Sequence, residues 1–308
     1  MIILWIDKTI NLRNLEHRRK TNDFSYWGKR EPWPTGNFLR ERIPVSEIAV
    51  SVREPGKAAD LVVAGIDVRK ADFTDRASVV RAFAGVDKVL IVSTSGGNDV
   101  LSEHKNAVEA AVEAGVKHIV YTSGTKETIS FIGRVHEQTE AMIMASGLTY
   151  TILRNNLYAD VLVRDVLGAI QTGIMSNPGG DGKVAAVTRT DCAAAAAAVL
   201  ATDGHQNKVY DITGTESLGW SDLAAIASEI AGKSIPFIPA LPDKFREGML
   251  AAGLPDFRVQ FLLEIYKAYT SGVYDVPSKA VAVLTGRPAT PVRDFIRQTA
   301  QEAMVIKA

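Results

Sequence analysis

Short apolar runs recur along residues 45–153, each followed by an amphipathic stretch that a glycine closes. The clearest run occupies residues 86–97, Val-Asp-Lys-Val-Leu-Ile-Val-Ser-Thr-Ser-Gly-Gly. Its centre, residues 89–92, has no alternating polar position, the pattern of a parallel strand covered by helices on both faces. It then breaks into Ser93, Thr94, Ser95, Gly96 and Gly97. Small polar residues there let a ligand approach the backbone, at the edge where open α/β sheets bind ligands.

The same reading predicts strands at residues 46–53, 66–70, 116–121 and 149–153. Helices are predicted at 57–64, 76–84, 102–114 and 135–145, with Gly65, Gly85, Gly115 and Gly147 at their ends. Strand and helix alternate five times, which predicts an α/β fold with a doubly wound parallel Rossmann sheet. In the strand order 3-2-1-4-5-6, residues 86–97 form the fourth strand, and the cofactor crevice lies between it and the first.

Beyond Tyr158 the alternation loosens. Short strands are predicted at 184–187 and 209–212, flanking the alanine-rich run 192–201. Ser221 is expected to cap a helix to Ala231, residues 245–271 read as helix interrupted near Gly253, and Thr290 and Pro291 open a last helix. The chain divides into an atypical segment at 1–44, a Rossmann-like domain at 45–215 and a smaller, mostly helical carboxy-terminal substrate domain at 216–308.

Composition narrows the function. At 308 residues the chain can bury a full core without staples. Acidic and basic side chains balance at 35 each, so charge points to neither nucleic acid nor an anionic membrane as partner. Cys192 is the only cysteine, which excludes an intrachain disulfide, and its alanine surroundings read as a small buried hydrophobe rather than a nucleophile. No charged and apolar leader opens the chain, and run 192–201 is too short to span a bilayer. The expectation is a soluble cytoplasmic protein acting on a small molecule, with a homodimer left open.

Several residues could carry chemistry. Arg53 lies just past the second strand of the pattern, where an arginine accommodates the 2'-phosphate of NADP; the plainer reading is a solvated surface arginine. Asp72 and Phe73 follow the third strand and either border the adenine or serve as a turn aspartate and a core ring. Ser93, Thr94, Ser95, Thr122 and Ser123 place hydroxyls at the ends of two separate strands, and the residues there are expected to line the cofactor. His136 either donates a proton or binds the nicotinamide ribose, or is a surface residue in the first turn of its helix. Asn155, Asn156 and Tyr158 leave the sixth strand on the same edge, to hold the nicotinamide carboxamide or substrate, or simply to form a satisfied polar turn. No Tyr-x-x-x-Lys relay, Walker A loop or Gly-x-Ser-x-Gly elbow occurs.

These segments resemble a known group. Val-Ser-Glu-Ile-Ala-Val-Ser-Val-Arg-Glu-Pro-Gly-Lys-Ala (45–58), Lys-Ala-Asp-Phe (70–73), His-Lys-Asn-Ala-Val-Glu-Ala-Ala (104–111), Gly-Val-Lys-His-Ile-Val-Tyr-Thr-Ser (115–123), His-Glu-Gln-Thr-Glu (136–140), Tyr-Thr-Ile-Leu-Arg-Asn-Asn-Leu-Tyr (150–158) and Gly-His-Gln-Asn-Lys-Val-Tyr (204–210) are similar to NmrA-like atypical short-chain dehydrogenases. Within that family they resemble most the bacterial NAD(P)H:quinone oxidoreductases of the second type and triphenylmethane reductase. The resemblance covers roughly residues 38–300. It implies an NADPH-binding core in which Arg53 matches the phosphate-reading arginine. It also implies reduction of a quinone or similarly delocalised electrophile, with His136 or Tyr158 as the catalytic candidates. The family equally contains dinucleotide-sensing regulators without turnover.

One part departs from the family, whose members open with a strand, Gly-x-x-Gly-x-x-Gly and a helix. Residues 1–4 can start such a strand and Thr35-Gly36-Asn37 resembles a fragment of the loop, but about thirty unrelated residues intervene. Among them are Trp5, Trp27, Trp33 and a basic Arg18-Arg19-Lys20 cluster. Residues 5–35 read as an anomalous replacement, from a shifted reading frame or a misassigned start. A third expectation is therefore a form that binds no dinucleotide.

Overall fold

Seven strands pair in parallel in the computed structural model of the chain, which describes residues 1–5, 34–94 and 99–305. In chain order the first half contains β1 (Ile2–Trp5), α1 (Pro34–Arg40), β2 (Ile48–Val52), α2 (Ala59–Val63), β3 (Asp67–Lys70), α3 (Arg76–Phe83), β4 (Lys88–Val92), α4 (Val100–Glu113), β5 (His118–Gly124), α5 (Phe131–Ala145) and β6 (Thr149–Asn155). The second half contains α6 (Ala159–Thr172), β7 (Lys183–Val184), α7 (Arg189–Ala201), β8 (Lys208–Ile212), β9 (Leu218–Gly219), α8 (Trp220–Ala231), α9 (Pro242–Ala251), α10 (Asp256–Thr270), α11 (Ala280–Thr285) and α12 (Val292–Val305). The sheet order is β3-β2-β1-β4-β5-β6-β8, the doubly wound order extended by one strand. Strands β7 and β9 form a separate antiparallel pair.

The period of two in each strand divides the core into two layers. Ile3, Val89, Ile91, Ile119, Tyr121 and Ile152 point to the face covered by α3, α4 and α5. Leu4, Val50, Leu90, Val120 and Leu153 point to the opposite face, where Ala195, Ala196, Val199 and Leu200 of α7 meet them. Because alanines carry no bulk, α7 lies buried along residues 191–200, packed against both the sheet and α1. A third cluster, built from α6, α8, α10 and α12 around Trp220 and Tyr269, forms the helical carboxy-terminal part.

The apolar start of the chain supplies the central strand: Ile2, Ile3 and Leu4 pair with β2 on one side and β4 on the other. Thr35, Gly36 and Asn37 lie in α1, which is only seven residues long. Residues 6–33, most of the atypical segment and of the expected replacement, lie outside the described residues, as do Ser95, Gly96 and Gly97.

Several element boundaries differ from expectation, and two of the differences have a capping cause. Helix α5 begins at Phe131, four residues early, because Ser130 caps it: its hydroxyl accepts from Gly133 N at 3.0 Å. His136 consequently sits in the second turn rather than the first. Helix α8 is capped at Gly219 rather than Ser221, with the Asp222 carboxylate accepting from Gly219 N at 2.9 Å. Among the described residues no helix is long and apolar enough to cross a membrane.

Candidate functional site

The strand order reverses at β1, whose two neighbours are β2 and β4, so the crevice of an open α/β sheet lies at the carboxyl ends of these strands. Arg53 stands immediately beyond β2 and is half-buried. At the end of β4, Ser93 N donates to Thr122 Oγ1 at 3.0 Å, tying it to β5. Thr94 is buried there, donating from its hydroxyl to Glu103 Oε2 at 3.0 Å and from its backbone N to His104 Nε2 at 3.1 Å.

The neighbouring edge, between β5 and β6, carries unsatisfied polarity. Thr125 N donates to Asn155 O at 3.1 Å, which sets the two residues side by side. Thr125 Oγ1 and Asn155 Oδ1 are both buried without a hydrogen-bond partner among the described residues. Buried polar atoms are rarely left so unless something else meets them. This donor and acceptor pair fits the polar groups of a dinucleotide such as its carboxamide. His136 lies against the same edge. A Cβ placed on Gly124 would stand 2.9 Å from its Cδ2 and 3.2 Å from its Nε2, so only glycine admits the ring this closely. Gly124, Thr125, Glu127, Gly133, His136 and Glu140 line a small cavity of about 20 Å³ here.

His136 is held from behind. Its Nδ1 lies 2.8 Å from the Tyr121 hydroxyl, and burial pulls its pKa down to about 4, so the ring is neutral near pH 7. Tyr121 is fully buried, which pushes its hydroxyl well above the ordinary tyrosine range. One turn further along α5, Glu140 accepts from Ser123 Oγ at 2.6 Å and from two Arg154 nitrogens, Nε at 3.0 Å and Nη2 at 2.7 Å. That fork clamps α5 to the ends of β5 and β6.

Tyr158 opens α6, and the Arg189 guanidinium lies 3.8 Å over its ring while pairing with Asp160 at 2.9 Å. Burial raises the Tyr158 hydroxyl above its ordinary value, with the nearby Cys192 acting in the same direction.

The structure thus gathers Arg53, Ser93, Thr94, Thr122, Asn155, His136 and Tyr158 along the carboxyl ends of β2, β4, β5 and β6. The remaining expected residues make internal contacts. Asp72 Oδ1 accepts from Thr74 N at 2.9 Å and from its hydroxyl at 2.8 Å, which closes a turn. Phe73 is core, 1% exposed, and its carbonyl accepts from Asn106. The Ser123 hydroxyl is given to Glu140, and Asn156 donates to Tyr274 O at 2.9 Å while accepting from Leu157 N at 2.8 Å.

Sequence reasoning passed over His104, Tyr121, Thr139 and Glu140. The first carried a signal: His104 shares the buried stripe of α4 with Ala107, Val108 and Ala111, at the i+3, i+4 and i+7 positions. A larger hollow of about 390 Å³, lined by Asp181, Lys183, Tyr269 and Asp275 among others, includes none of the crevice residues. No group of His, Cys, Asp or Glu among the described residues is arranged to hold a metal ion.

A family model described as NAD(P)H-binding matches residues 38–203. Quinone oxidoreductase 2 of Escherichia coli (strain K12) is 36% identical over 261 residues, covering 84% of this chain and 91% of that protein. NAD(P)H azoreductase of Xenophilus azovorans is 28% identical over 253 residues, covering 80% of this chain and 87% of its own length. Among solved structures, an NADPH-dependent quinone oxidoreductase from Escherichia coli complexed with NADPH superposes with a TM-score of 0.84 at 30% identity, covering 97% of this chain and 99% of that one. The Citrobacter sp. triphenylmethane reductase complexed with NADP(H) gives 0.79 at 34% identity, covering 86% and 94%.

Proposed function

The chain belongs to the NAD(P)H-binding family, in its NmrA-like branch, and on that premise we propose that it is an NADPH-dependent reductase delivering hydride to a quinone or similarly delocalised electrophile. The observation that carries this reading is the likeness in fold, over nearly the whole chain, to a quinone oxidoreductase complexed with NADPH. In this chain the crevice edge carries the buried Thr125 Oγ1 and Asn155 Oδ1, polar atoms suited to meet a dinucleotide.

NADPH, when bound, supplies the hydride. Arg53 meets the 2'-phosphate with charge-assisted hydrogen bonds, from the position past β2 where such arginines stand. Ser93, Thr94 and Thr122 form the floor of the crevice, and Asn155 orients the carboxamide. His136, neutral at pH 7, donates a hydrogen bond from the β5–β6 edge to the oxygen on which charge develops. Tyr158, stacked beneath Arg189, closes the neighbouring wall. An electrophile that spreads the arriving charge over a conjugated system needs no strong acid, so water provides the proton and a Tyr-x-x-x-Lys relay is dispensable. NADPH as reductant suits a cytoplasmic setting.

Steady-state NADPH oxidation with a panel of benzoquinones and naphthoquinones tests the reading. Turnover dependent on both NADPH and quinone is expected. Saturable NADPH binding with no oxidation in the presence of any quinone would make the chain a dinucleotide sensor instead.

A further inference from the structure

Behind His136 runs a buried line of polar groups that reaches back to the cofactor side of the crevice. It begins at Thr94, passes through His104 on α4 and the Tyr121 hydroxyl on β5, and ends at His136 on α5. His104 is wholly buried, an unusual place for a side chain that no catalytic step employs. We propose that His104 is a positioning residue that fixes the tautomer of His136, so that Nε2–H is the group presented at the β5–β6 edge.

The direction of each bond follows from the only member that has no choice. A backbone N–H can only donate, so His104 Nε2, 3.1 Å from Thr94 N, accepts. Burial lowers the His104 pKa to about 4, and the neutral ring then carries its single proton on Nδ1. That proton goes to Thr139 Oγ1 at 2.9 Å, and the Thr139 hydroxyl passes its own to Val135 O at 2.8 Å. The Tyr121 hydroxyl lies 3.5 Å from the same Nδ1 and therefore faces an N–H rather than a lone pair. The Thr139 hydroxyl also lies beside it but already accepts from His104 Nδ1, so the Tyr121 proton turns to the other ring, His136 Nδ1 at 2.8 Å. His136 then holds its proton on Nε2, beside Gly124, where no described residue accepts it.

The opposite assignment would aim a lone pair at the edge. A carbonyl oxygen gaining negative charge would be repelled there instead of bound. Thr94 thus sets the donor through His104, and the β4 end of the crevice and the β5–β6 edge act as one unit. His136 gives a hydrogen bond and keeps its proton, since Tyr121, raised by burial, is a poor source of a replacement.

The use of this donor rests on the reductase reading, but the tautomer does not, and the test separates them. Nitrogen-15 NMR of the histidine rings in the labelled full chain at pH 7 reports the protonated nitrogen of each directly. His136 is expected as Nε2–H and His104 as Nδ1–H; His136 as Nδ1–H, or as an even mixture, overturns the proposal in the wild type alone. In His104→Leu, the His136 signal should become a mixture, and His104→Asn, which keeps a donor near the Nδ1 position, should restore it. An unchanged single Nε2–H tautomer in His104→Leu also overturns the proposal. Where quinone turnover is present, His104→Leu should lower kcat about tenfold while leaving the NADPH KM within twofold, and His104→Asn should recover most of it. Equal loss in both variants would reduce His104 to a packing residue. Absence of turnover in the wild type would count against the reductase reading and leave the NMR result to stand by itself.

Discussion

Replacing Glu140 by alanine removes the clamp that joins α5 to the ends of β5 and β6. The side chains of Glu140 and Arg154 are only 10% and 17% exposed, and the fork between them has both contacts within hydrogen-bond range. Truncation leaves the Arg154 guanidinium poorly solvated and the Ser123 hydroxyl without its acceptor. Removing one partner of a buried pair costs about 3–5 kcal/mol, most of it from the stranded charge. Asp211 also acts on Arg154 and offsets part of that charge, so the lower end, about 3 kcal/mol, is expected. Unfolding entropy of about 2.1 cal/mol/K per residue, over 308 residues, converts this to a fall in Tm of about 5 °C. Thermal unfolding followed by circular dichroism reads it, with the exposed neighbour Glu137→Ala as control. A fall in Glu140→Ala no larger than that of the control would refute the clamp.

Arg53→Ala should raise the NADPH KM by about ten- to a hundredfold, the value of a charge-assisted hydrogen bond, and leave the NADH KM nearly unchanged; steady-state kinetics with both cofactors measures it. His104, His118 and His136 all have pKa values lowered by burial from 6.5 to about 4, so the unfolded chain binds protons that the folded chain refuses. Stability should therefore be full above about pH 6.5 and fall as pH drops toward about 4, and urea unfolding across this window should show a shallower slope in His118→Gln. Cys192 is buried and its thiol is pushed up by that burial, so the native chain should resist a thiol-specific reagent that modifies it fully in urea.

The parallel sheet was legible because strands buried on both faces must be continuously apolar, as residues 89–92 and 119–121 are. The glycine-closed helices gave the alternation, and from it the sheet edge where Arg53, Ser93 and Thr94 stand. Partnerships across the fold were not legible. Ser123 is taken by Glu140, 17 residues away, and Asn156 by Tyr274, 118 residues away, and no local pattern announces either. The turn of α5 that carries His136 was misplaced because Gly133 interrupts the helical pattern just after the Ser130 cap. His104 was readable as a polar residue on an apolar stripe, but its direction of hydrogen bonding depends on Thr94 N, which only the folded chain brings near.

The central claim, that this edge of the sheet holds NADPH in spite of an opening segment unlike the family's, is tested most directly by fluorescence titration of the full chain with NADPH and NADH. The account predicts saturable binding of NADPH in the micromolar to millimolar range common for enzyme substrates, on the order of 1 μM to 1 mM, and distinctly weaker binding of NADH. No saturable change with either dinucleotide would contradict it.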